Sequence, residues 1–452
     1  MALIVAATTA FALCGGDIQP QRPGIIPELP AFSPTIRLWP AAARTFPRDR
    51  LAFHASGTDT RNAPALRWSL IGDGQISADG VYTAPSGAGG AQVIAAEGRV
   101  AAAAHIAVRA PPPPQRPLLI VSCYDDGALD VLDAKTLAQI GSFSAGRDAA
   151  GIAVDQRRRI ALAATGDTVV AVNLTSMRFV ASQPVPTARF SEVASLAGGY
   201  FAATDNNAVA GKPGIRLFRI SAGTRPMLAA GVAAGETPEG IAVDHTGRQF
   251  VVSNINSNSI MRFFFDGHGH ARLSGVAKTG ARPYGIALDE AHGMLFVADN
   301  DTSTVSGAAS RPGLEKFRLP SLRRVGTVEA TGTSNALPLG VAEDSRSQQL
   351  FVTNEGDATV TVFSLPSIRR VATLRTGRLP WLPAVDEPDH RLYVPSAGED
   401  VVQQFDTRGY VRAQSAEHVC GYPTAVALVA AAPSSRRTAS PPRRSRIARR
   451  RG

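Results

Sequence analysis

Acidic and amide side chains recur in this chain at one place in a repeating pattern. Asp125, Asp126, Asp167, Asp205, Asn254, Asn256, Asp299, Asn300, Asp301, Asn354, Glu355, Glu399 and Asp400 each follow a short β-rich run. Hard oxygen donors gathered at one opening would suit Ca²⁺ or Mg²⁺, or would orient a substrate carbonyl. Asp125, Asp167, Asp205, Asn254, Asp299, Asn354 and Glu399 are the candidate ligand set. The competing reading is structural: Asn and Asp at such positions cap turns with their side chains.

Histidine offers less. His245, His292 and His390 fall at one repeat position, in the turn between a repeat's first two strands. Recurrence at separated, equivalent turns marks architecture, not a cluster. His268 and His270 form a lone His-x-His without further ligands. His54 and His105 lie outside the repeats, and His418 stands alone near the last strand, where it could face a central channel. The chain has no Cys-x-x-Cys-His, no Walker loop, no Gly-x-Gly-x-x-Gly after a strand and no Gly-x-Ser-x-Gly. Those absences exclude covalent c-type haem and the common nucleotide and nucleophile-elbow motifs.

The elements that position these residues are repeats. Pro238-Glu-Gly-Ile-Ala-Val-Asp244, Pro283-Tyr-Gly-Ile-Ala-Leu-Asp289 and Pro338-Leu-Gly-Val-Ala-Glu-Asp344 share one phrase, each followed by a strand ending in a polar turn. Further copies begin at residues 149, 190, 380 and 423, giving spacings of 41 to 55 residues. The period and the β-branched content fit four-stranded propeller blades. Residues 117–143 lack a leading strand, and the copy at 423 has nothing after it. Together they complete one blade, so the ring should close on its own C-terminal strand as a seven-bladed propeller without open edges.

The leading phrase resembles NHL repeats, and the full unit resembles the YVTN and lactonase-like propellers over residues 117–430. That resemblance implies an all-β fold and leaves function open, since binding proteins, lactonases, lyases and redox enzymes share it. No catalytic residue carries over. Residues 31–109 are similar to bacterial Ig-like domains, through Leu66-Arg-Trp-Ser-Leu70 and the run from Gly72 to Pro85, with Trp68 as the expected core aromatic. A stiff proline linker at residues 110–116 should hold this sandwich away from the propeller.

Residues 1–14 read as an export signal, with lipid attachment at Cys14 as the alternative. Either implies an extracytoplasmic protein, periplasmic or secreted, that meets a membrane only through such an anchor. Cys123 ends the second strand of the closing blade and Cys420 precedes its first, so an oxidising compartment would allow a disulfide between them. The alternative is two free thiols too far apart to bridge.

Net charge is +10, but residues 433–452 hold eight arginines and no acid. Removing those eight leaves 39 basic against 37 acidic residues, or +2. The folded part therefore carries no basic field for nucleic acid. The Arg-rich tail has the composition of a disordered extension. The repeat-equivalent pairs Arg323–Arg324 and Arg369–Arg370 read as solvated. The expectation is a monomeric, exported, non-enzymatic recognition or scaffold protein that binds a protein or small ligand at a channel mouth. The alternative is a lactonase-like hydrolase or lyase using a divalent metal in the channel.

Overall fold

A computed structural model describes residues 36–39, 42–56, 66–98, 100–221, 225–280, 282–299, 312–331, 333 and 335–432. The expected export signal, Cys14, Asn300, Asp301 and the Arg-rich tail lie outside the described residues. The described elements are strands and two short 3₁₀ turns. Among them no helix is long and apolar enough to cross a membrane.

Seven four-stranded antiparallel sheets form the propeller. Blades two to six begin with strands Ala149–Asp155, Phe190–Leu196, Pro238–Val243, Pro283–Asp289 and Pro338–Asp344. The seventh is worn: only Ala384–Asp386 is extended, preceded by a single bridge from Pro380 to Ser396. Pro380 and Pro383 have no N–H to give a ladder there. In the first blade, strand Leu118–Cys123 pairs on one side with Ala128–Asp133 and on the other with Pro423–Val429. The C-terminal strand thus completes the first blade.

The repeated phrase has a physical origin. Leading strands of neighbouring blades pack on one another around the axis, so their backbones approach closely. A Cβ at Gly240 would sit 2.2 Å from the Tyr284 carbonyl oxygen, and one at Gly285 would sit 2.2 Å from that of Leu339. Only glycine fits. The pairing register shifts at this point in blades two to six, between Pro238 and Ile241 in the fourth. Such a bulge leaves backbone groups unpaired and re-aims the side chain beside it. The hydroxyl near the end of strand two repairs the gap. Ser253 Oγ accepts from Gly240 N–H at 2.9 Å and donates to the Tyr284 carbonyl at 2.5 Å. Thr353 accepts from Gly340 N–H at 2.8 Å in the same way.

The disulfide between Cys123 and Cys420 is formed, with Cα atoms 5.7 Å apart. It ties the closing strand's entry loop to the first blade, and both residues are buried.

The N-terminal part packs a four-stranded sheet, in which Ala42–Thr45 runs parallel to Val100–Val108, with two smaller sheets. Its fully buried centre is Tyr82, with Phe53 beside it. Trp68, the expected core aromatic, is only half-buried and packs against that cluster's side. The expectation that a stiff linker holds the two parts apart is incorrect. Phe46 is fully buried in the propeller's own core, 5.3 Å from the Phe143 ring and over Gly141, whose lack of a Cβ admits it. Arg44 donates to the Gln139 carbonyl at 3.0 Å beside it. Apolar burial and a lost side chain at Gly141 outweigh linker stiffness here.

Candidate functional site

The bulge selects the site. The second residue of each phrase varies where its neighbours repeat: Ala150, Ser191, Glu239, Tyr284, Leu339, Trp381 and Thr424. Five of these seven line a cavity of about 460 Å³ at one mouth of the propeller. Tyr124, Asp125, Asp148, Gly166, Arg189, Phe190, Asn206 and Tyr422 complete its wall. Six blades thus contribute to one opening, which sits where propellers present their axial ligand sites.

Glu239 is its polar centre. It is buried, and its carboxylate accepts from the Ser191 hydroxyl, from Tyr284 OH at 3.1 Å and from Asn206 Nδ2 at 3.3 Å. Burial raises its pKa above the ordinary carboxylate range, opposed by those three donors and by the charge of Arg189. Three neighbouring blades meet on this one side chain. Aromatic rings form the opposite wall. Tyr422 lies with its ring centroid 6.0 Å from Tyr124 and 6.0 Å from Trp381, at interplanar angles of 60° and 72°. Arg189 Nη2 donates to Tyr124 OH at 3.4 Å.

A separate, narrower void of about 140 Å³ lies between the leading strands, lined by Gly151, Ile241, Gly285 and Ala425 among others. Glu192 projects there. Its Oε2 accepts from Ile241 N–H at 3.0 Å, while Oε1 is sealed from solvent without a hydrogen-bond partner among the described residues. Burial, helped by the nearby charge of Glu239, pushes its pKa up to about 8.

The seven candidate ligand residues do not gather at one point. Asp125 lines the mouth cavity. Asp167 is exposed and accepts from Thr168 Oγ1 at 2.9 Å. Glu399 pairs with Arg378 at 3.5 Å on the surface. The other four are buried inside single blades. Asp205 accepts from Arg189 N–H at 2.9 Å and Arg216 Nη2 at 3.2 Å. Asn254 accepts from Gly235 N–H at 3.0 Å and donates to Ser259. Asn354 donates to Thr361 Oγ1 at 2.9 Å. Asp299 sits against Glu315, and burial, then that second carboxyl, raises its pKa to about 9. Arg324 pairs with Glu315 at 3.2 Å, so it is not merely solvated. These residues hold turns and strands in place, as side chains at strand ends do.

The three repeat-equivalent histidines also sit in turns: His292 Nδ1 is 2.8 Å from Asp289, and His245 Nδ1 is 2.5 Å from Glu290 of the next blade. His418 is exposed and lines neither cavity. Sequence reasoning missed Ser191, Glu239, Tyr284 and Trp381. Their signal was present: one variable position inside an otherwise constant phrase.

No family model matches the chain, and no curated protein sequence matches it. Solved structures do match. A protein described as a candidate 6-phosphogluconolactonase from Bacteroides fragilis NCTC 9343 is 12% identical, with a TM-score of 0.58, over 70% of this chain and 98% of that one. A protein from Lactobacillus plantarum is 15% identical, with a TM-score of 0.59, over 70% and 99%. Hydrazine synthase from Kuenenia stuttgartiensis is 13% identical, with a TM-score of 0.55, over 65% and 94%. At these identities the likeness is one of fold. The chain is an all-β propeller, an architecture whose differently named members do not define one activity.

Proposed function

We propose that this is a recognition protein that holds a small ligand at the propeller mouth without transforming it. The observation that carries the reading is the wall built from six blades: aromatic rings on one side, and a hydrogen-bonded carboxylate on the other. Mostly apolar walls with a few placed polar groups are the usual composition of small-molecule sites. Glu239 already accepts from three donors, which suits holding and orienting more than proton abstraction. An extracytoplasmic location fits the same reading, supported by the Cys123–Cys420 disulfide, since such bonds persist in oxidising compartments.

A second reading, lactonase-like hydrolysis, is favoured by one feature. Glu239 has a raised pKa beside the Ser191 hydroxyl in a cavity, a combination that marks many acid–base sites. The test is a thermal-shift screen of the full chain against small polar ligands, lactones, Ca²⁺ and Mg²⁺, with lactone turnover followed in parallel. Ligand-dependent shifts abolished by Trp381→Ala, without turnover, support recognition. Lactone turnover lost in Glu239→Gln would replace it with the hydrolase.

A further inference from the structure

We infer that the ligand of the mouth cavity is a free organic ammonium ion, held by the Tyr124–Tyr422–Trp381 corner against the carboxylates of Glu239, Asp125 and Asp148. This rests on the recognition reading above and specifies its ligand.

Ring geometry is the first ground. Three rings whose planes differ by 60° and 72° across 6.0 Å centroid spacings do not stack on one another. They make a corner, which wraps a compact tetrahedral group better than a flat one. Aromatic faces carry negative charge density and attract cations held near their centroids, and cages of such rings take substituted ammonium groups. Phe190 and Tyr284 add two further rings to the cavity lining, Tyr284 on the Glu239 side.

Charge is the second. Asp125, Asp148 and Glu239 line the cavity, and Arg189 is the cation among its lining residues. Glu355 lies near enough that its charge raises the pKa of both Tyr284 and Tyr422, after burial as the larger cause for each. Arg189 is itself engaged with Tyr124 OH and lines both this cavity and the adjoining groove that holds Arg282. An anion such as a sugar phosphate would meet several carboxylates for one guanidinium, and its desolvation would go uncompensated. A cation meets the reverse.

Isothermal titration of the full chain at pH 8 separates the possibilities. The probes are choline, its uncharged isostere 3,3-dimethylbutan-1-ol, phosphocholine and 6-phosphogluconate. Choline should bind at least tenfold more tightly than the isostere. Trp381→Leu should abolish choline binding. Glu239→Gln, which keeps the shape and loses the charge, should weaken choline by fivefold or more and leave the isostere unchanged. Equal binding of choline and the isostere, or tighter binding of 6-phosphogluconate, would overturn the cation assignment while leaving recognition standing. Phosphocholine binding more tightly than choline would overturn the assignment to a free ion in favour of a lipid headgroup. Failure of every probe to bind would overturn both readings.

Discussion

The Tyr284 hydroxyl donates to Glu239 Oε1 at 3.1 Å across the seam between the fourth and fifth blades. Ser191 of the third blade donates to the same carboxylate. The ligand wall and the inter-blade seam are therefore one set of bonds. Removing the Tyr284 hydroxyl deletes one donor and leaves the ring in place. Tyr284→Phe should cost about 1 kcal/mol in urea denaturation, the usual net worth of one hydrogen bond. Ser253→Ala should cost about 1–3 kcal/mol, because it strands the buried Gly240 N–H. A smaller loss in Ser253→Ala than in Tyr284→Phe would show that the seam hydroxyls are not needed.

Phe46 makes the N-terminal part and the propeller one packed body. Its truncation removes a fully buried ring from the propeller's first-blade core. Phe46→Ala should lower stability by about 3–5 kcal/mol, the range for such core truncations. Limited proteolysis at residues 110–116 should then be faster than in the native chain. An unchanged melting temperature would mean that the two parts do not rely on each other.

The closing strand is secured twice, by its ladder to Leu118–Cys123 and by the disulfide. A Cys123→Ser and Cys420→Ser double variant should lose about 2–5 kcal/mol. Deleting residues 423–432 as well should unfold the first blade, since it leaves Leu118–Cys123 as an open edge. Thiol titration of the unreduced, denatured native chain should find neither of these cysteines reactive.

Glu192 links stability to pH. Its ordinary carboxyl pKa of 4.5 is raised to about 8 in the folded chain. The folded state therefore keeps a proton that the unfolded state releases. That contribution is complete below pH 4.5 and disappears as pH rises through about 8. Glu343, also raised to about 8 by burial and neighbouring acids, acts in the same direction. The urea midpoint should fall from pH 5 to pH 9, and Glu192→Gln should flatten part of that slope. A midpoint rising over the same interval in the native chain would contradict the assignment.

The architecture was legible because it is enforced at every repeat. Gly240 and Gly285 recur where neighbouring backbones touch, and Ser253 and Thr353 recur where the bulge needs an acceptor. Asn254 and Asn354 drew attention for the same reason, and they too serve the blade. Ligand sites break symmetry instead. Glu239, Tyr284 and Trp381 occupy one repeat position with three different side chains, so a search for recurrence passes over them. The contact of Phe46 with Gly141 was illegible for another reason. It joins residues 95 positions apart through a missing side chain, and neither residue belongs to a pattern.

The most direct test of the account is a crystal structure of the full chain grown with saturating choline. The account places the ligand in the mouth cavity, its ammonium group against the Tyr422 and Trp381 rings and facing Glu239. Choline bound elsewhere, with the mouth cavity holding only solvent, would contradict it.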